Sequence, residues 1–114
     1  MSDKVRIFAS VPVKNHDREW IEQARKSCID YAIYIRNLEP DKVIEVPFID
    51  PWQLTGNHPV YCLGLNLQMM CQADIVVFHK EWWTSRACCI EHDICEQYDM
   101  DFINMKAVWK FDER

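Results

Sequence analysis

Glu91 and His92 stand side by side in a stretch of helical spacing, six residues after Ser85, and Cys88, Cys89 and Cys95 share that stretch. A carboxylate about two turns into a helix is equipped for nucleophilic or acid–base work if it faces a crevice, and is an ordinary solvated carboxylate if it does not. Neighbouring helical positions diverge by about 100°, so at most one of Glu91 and His92 faces such a crevice. Ser85 is placed as a helix N-cap, and the free amides behind an N-cap also bind anions; the two readings coexist. Cys88, His92 and Cys95 fall on one helical stripe, which is either a partial metal-ligand set or a buried thiol face. The absence of any paired C-x-x-C favours the thiol face, and no metal is expected. Trp82-Trp83 suits a core and a ligand-stacking wall equally well. With only Gly56 and Gly64 in the chain there is no glycine-rich phosphate loop, Walker motif or G-x-S-x-G elbow.

The elements that position these residues alternate. Residues 4–10 (KVRIFAS) are β-branched and aromatic enough for a strand, closed by Pro12 and Lys14-Asn15. From Asp17 the apolar residues Trp20, Ala24, Cys28, Tyr31 and Ile35 recur three or four apart, predicting a long amphipathic helix. Residues 41–48 alternate as a second strand, and 49–58, with Pro51 and Gly56-Asn57, form an irregular loop long enough to rim a site. A second helix is expected over 60–72 and a third over 85–98. Between them, Asp74 to His79 is the continuous apolar run of a central strand buried on both faces, and 102–105 adds a last strand before a charged tail. This order predicts an α/β fold: a small three-layer flavodoxin/Rossmann-like parallel sheet of four or five strands with helices on both faces. Ligands bind such sheets at the carboxyl ends of the strands, where Ser10 to Asn15 should approach Lys80 to Glu91.

Composition sets the limits. A chain of 114 residues supports one core, hence a single domain over 1–114. Apolar runs such as Tyr31 to Ile35 fall far short of the roughly 20 residues that cross a bilayer, so no membrane partner is expected. The N-terminus lacks an apolar leader, which makes the cytoplasm the expected address and the six cysteines reduced thiols without structural disulfides. A formal charge of −5 repels a nucleic-acid polymer, but a local set of donors still suits a small nucleotide with one phosphate.

The run from Pro59 to Phe78 (PVYCLGLNLQMMCQADIVVF), then Trp82 and Ser85-Arg-Ala-Cys-Cys-Ile-Glu-His92, resembles the nucleoside 2-deoxyribosyltransferase-like superfamily, and most of all a small branch common in bacteria and phages. Matches cover most of residues 5–104, the second half being the specific part. The resemblance implies that Glu91 is a nucleophile attacking the anomeric carbon of a nucleotide and expelling its base. Ser85, six residues earlier, stands where transferases carry aspartate and 2'-deoxynucleoside 5'-phosphate N-hydrolases carry a phosphate-contacting serine. Phosphate would fall to Ser85, Arg86, Ser10 and Lys14, and base or sugar to Asn66, with Phe8 and Trp82 in the same pocket. Phe8 replaces a tyrosine that orients the glutamate, and Asn66 replaces an aspartate near the base, an amide being a far poorer proton donor. Glu81 and Ala87 each replace a glycine. The implied function is an N-glycosidase of nucleoside 5'-monophosphates needing no cofactor, and the implied assembly a homodimer or larger homo-oligomer. The alternatives are a weakened nucleotide binder that sequesters a nucleotide-derived signal, in the host cytoplasm if phage-encoded, and an interaction module with a vestigial pocket.

Overall fold

A computed structural model describes residues 3–49 and 59–106 of the chain. Its centre is set by β3 (Ile75–Phe78), wholly apolar and so requiring cover on both sides, and by β1 (Val5–Ser10), which is buried from Ile7 to Ser10. With β2 (Val43–Glu45) and β4 (Phe102–Asn104) they form a four-stranded, all-parallel sheet of order β2-β1-β3-β4, as expected of a small α/β Rossmann-like fold. Ser10 is registered against Phe78, and Phe78 against Asn104, so the carboxyl ends of three strands lie level. The chain steps outward from β1 to β2, then back across β1 to β3. That reversal makes the β1–β3 boundary the topological switch point, the place at which parallel α/β sheets bind their ligands.

The helices follow from the same reversal. Helix α1 (Arg18–Arg36) covers one face, laying Ile21, Ala24, Cys28, Tyr31 and Ala32 on Ile7, Ala9, Ile75 and Val77. It is capped by Asp17, whose side chain accepts from the Trp20 amide at 2.8 Å, and it ends at Asn37 in a left-handed turn (φ 52°). Helices α2 (Pro59–Met70) and α3 (Arg86–Gln97) cover the other face, where Met70 and Cys95 pack with Phe8, Val76 and Phe78. No helix is long and apolar enough to cross a membrane among the described residues.

Three details depart from the sequence expectations. Residues 41–48 are not one strand: Pro40–Lys42 is a 3-10 turn, closed by the Lys42 amide on the Glu39 carbonyl, and β2 holds only three residues. Past it the Val46 amide still reaches the Ile7 carbonyl, but Pro47 has no amide to extend the ladder. Ile35, placed on the buried stripe of α1, is 45% exposed: its angle around the helix keeps it on the stripe, but the buried part of the helix ends at Ala32, a turn earlier. A 3-10 turn, Trp82–Thr84, precedes α3 where only a loop was expected. Most of the expected rim at 49–58 lies outside the described residues.

The fully buried Ile7 anchors the α1 face. Ile7→Ala should therefore cost about 2–5 kcal/mol in urea unfolding, and a cost under about 1 kcal/mol would show that this face is not close-packed.

Candidate functional site

Alternation along β1 points Phe8 and Ser10 to the α2/α3 side. Phe8 fills the core there, and Ser10, at the strand's carboxyl end, meets what α3 presents. The register of α3 is set by Ser85, whose hydroxyl accepts from the Cys88 amide at 3.3 Å, and by the preceding turn, in which Thr84 Oγ1 donates to the Glu81 carbonyl at 2.7 Å. With that start, Glu91 arrives opposite Ser10, and the serine hydroxyl donates to Glu91 Oε1 at 2.5 Å. Both residues are buried, Ser10 at 2% and Glu91 at 5% exposure, so Glu91 is not a solvated helix carboxylate.

Burial drives the Glu91 carboxyl up to about 7, and the Ser10 hydroxyl offsets part of that rise by bonding the charged form. Burial also pushes Cys88 and Cys95 up to about 11, leaving neutral thiols as neighbours. His92 turns away from Glu91. Its Nε2 lies 3.0 Å from Asn104 Oδ1, and its ring stacks on Trp82 at 3.9 Å with the edges of Phe78 and Phe102 around it. Cys88, His92 and Cys95 are buried while Cys89 is exposed, and no group of three His, Cys, Asp or Glu side chains able to hold a metal occurs among the described residues. All six cysteines are free thiols.

The other residues singled out in the sequence are dispersed. Lys14 is exposed in the β1–α1 loop beside Asn15 (φ 70°), and Arg86 is exposed in the first turn of α3. Asn66 is buried with its carboxamide committed: Oδ1 accepts from the Ile49 amide at 2.8 Å, and Nδ2 donates to the carbonyls of Ile49 at 3.2 Å and Cys62 at 3.3 Å. It clamps the backbone that follows β2. Trp82 is half-buried against His92. The structure thus joins Ser10 to Glu91, sets Ser85 on the same helix, and keeps Phe8 and Asn66 in packing roles. A surface groove of about 350 Å³ between α1 and the β2 edge, lined by Glu22, Lys26, Ile29 and Glu45 among others, shares no residue with this site.

Sequence reasoning overlooked the opposite wall. His79 follows Phe78, and its amide donates to the Ser10 carbonyl at 2.9 Å, so Ser10 touches Glu91 through its side chain and His79 through its backbone. Its ring lies on the α1 side, 5.3 Å from Trp20, which in turn stacks on His16 at 3.4 Å. The available signal was a histidine at the carboxyl end of the most apolar strand, a place where a polar side chain meets the crevice.

Comparison of the chain with protein-family models, curated proteins and solved structures found no match. The site is therefore defined by its own geometry: a buried, hydroxyl-bonded carboxylate at the switch point of a parallel α/β sheet.

That carboxylate carries a pH signature. The folded protein holds the Glu91 proton to a higher pH than an unfolded chain does, so its contribution to stability is complete below the ordinary carboxylate range and is lost as pH rises through about 7. Linkage makes the loss roughly 3 kcal/mol. Glu91→Gln, neutral at every pH, should match the parent near pH about 4 and exceed it at pH about 8 in urea unfolding. Equal stabilities at the higher pH would show that Glu91 ionises without penalty.

Proposed function

We propose that this chain is an N-glycosidase acting on a nucleoside 5'-monophosphate or a related small nucleotide. The observation that carries the reading is the buried Glu91 carboxyl bonded to Ser10 at the β1–β3 switch point. Cleavage of a glycosidic bond builds positive charge on the anomeric carbon, and a carboxylate without a competing cation stabilises that charge and captures it as an ester. Only Ser10 and burial govern the Glu91 carboxyl, so its charge is left for a substrate. A midpoint about 7 leaves a large ionised fraction near neutrality, and a ligand that brings positive charge draws the rest. Water then opens the ester and releases the sugar phosphate.

Phosphate recognition is assigned to the first turn of α3, where Ser85 and the helix amides favour an anion and Arg86 adds a cation, and Lys14 of the β1–α1 loop is proposed as a second cation. The resemblance to nucleoside 2-deoxyribosyltransferase-like proteins supports this reading through Glu91 and Ser85. Six free thiols support a reducing, cytoplasmic setting. A second reading, a binder that sequesters a nucleotide intact, is favoured by the Asn66 carboxamide, which is spent on Ile49 and therefore poorly placed to assist a departing base. Incubation with each common ribo- and deoxynucleoside 5'-monophosphate should release free base from at least one, and Glu91→Gln should abolish that release. Recovery of a bound nucleotide unaltered from the parent protein would establish the binder instead.

The assembly is proposed to be a homodimer or larger homo-oligomer. Helix α2 carries no charged residue, yet of its 12 residues only Asn66 and Met70 are buried, and Tyr61 is 59% exposed. An uncharged apolar helix of this kind needs cover, and on a chain of charge −5 it is a face where two copies meet without opposing like charges. Light scattering should give a multiple of 13.7 kDa at micromolar concentration, reduced to one chain by Tyr61→Glu. A monomeric parent would remove the proposal.

A further inference from the structure

His79 is held in one tautomer. Its Nδ1 accepts the Glu81 amide proton at 3.1 Å, which leaves the proton of the neutral ring on Nε2. Protonating Nδ1 would break that bond, and burial already holds the imidazole below the ordinary histidine range. His79 is 4% exposed, and the partner that the described residues give its ring is the Glu81 amide on Nδ1. Nε2–H is thus a fixed, neutral donor at the carboxyl end of β3.

Its position relative to Glu91 follows from Ser10. The serine hydroxyl bonds Glu91 on the α3 side of the sheet, and the serine carbonyl accepts from the backbone of His79, whose ring lies on the α1 side. The two groups therefore flank the switch point from opposite walls. A nucleobase expelled as an anion is a poor leaving group, and a donor aimed at its developing charge is worth a large factor in rate. Phe8 has no hydroxyl, and the Asn66 amide is engaged by backbone carbonyls.

We propose that His79 is the leaving-group residue of this site, its Nε2–H hydrogen-bonding an acceptor atom of the departing base; this rests on the N-glycosidase reading of Glu91. In the first step the bond between the anomeric carbon and the base nitrogen breaks with both electrons going to the base, while a Glu91 oxygen bonds the carbon. His79 keeps its proton and shares it with the base anion, which takes a proton from water. The hydroxide so formed opens the ester and restores the Glu91 carboxylate, so one water is consumed overall.

The test compares parent, His79→Phe and His79→Gln on two probes: the nucleoside 5'-monophosphates, and ribose 5-phosphate bearing 4-nitrophenol on the anomeric carbon, a leaving group that departs without a donor. His79→Phe should lose about 100-fold in base release and little in nitrophenol release, and His79→Gln, which retains an N–H, should keep more base release than His79→Phe. Equal loss on both probes, or no loss on either, overturns the assignment of His79. A parent inert on both probes instead overturns the reading of Glu91, and this proposal with it. If His79→Phe does not fold, imidazole ¹⁵N–¹H spectra of Glu91→Gln decide: the Nε2 proton must move when the nucleotide cleaved by the parent binds, and an unmoved resonance overturns the proposal.

Discussion

The bond from the Ser10 hydroxyl to the Glu91 carboxyl is the constraint on which the site depends. It joins the end of β1 to the middle of α3, and it is made where neither partner has water to fall back on. A carboxyl in that position is costly in its charged form, and a single hydroxyl recovers only part of the cost. The result is a group poised near neutrality rather than fully ionised. A protein selected for stability alone would place a neutral side chain here, so Glu91 is the kind of locally unfavourable residue that functional sites retain.

The rest of the fold supplies the register this bond requires. Glu91 meets Ser10 only if α3 starts at Arg86, and that start is set by the Ser85 cap and the Trp82–Thr84 turn. Moving the start by one residue would swing the carboxyl about 100° around the helix axis and bring a neighbour to the crevice. The stack of Trp82 on His92, edged by Phe78 and Phe102, fixes the turn to the helix it precedes. On the strand side, the Ser10–Phe78 register and the His79 amide bond keep the ends of β1 and β3 level. The neutral thiols of Cys88 and Cys95 complete surroundings that offer the carboxylate no counter-charge.

Much of this was legible in the sequence, and for identifiable reasons. The run Ile75–Phe78 reads as a buried central strand because every side chain in it is apolar, and the helical spacing around Ser85 and Glu91 places both on one element. Order and type of the elements then define the parallel sheet and its switch point. The burial of Glu91 was not legible, because local periodicity does not distinguish a carboxylate facing solvent from one facing a serine on a distant strand. Asn66 read as a ligand group, and the structure shows what no local pattern records, that its amide clamps Ile49. The turn at Pro40 was hidden by alternation that continued through it. His79 was overlooked because the strand pattern absorbed it as a terminal residue, although its amide bonds the Ser10 carbonyl and its ring lies on the α1 side beside Trp20.

The most direct measurement is the titration of the Glu91 carboxyl by ¹³C NMR in the parent and in Ser10→Ala. A buried carboxyl bonded to Ser10 must titrate near 7 in the parent, and higher once the hydroxyl is gone, since burial then acts without its offset. A midpoint in the ordinary carboxylate range, unmoved by Ser10→Ala, would mean that Glu91 is solvated and that the site described is not formed.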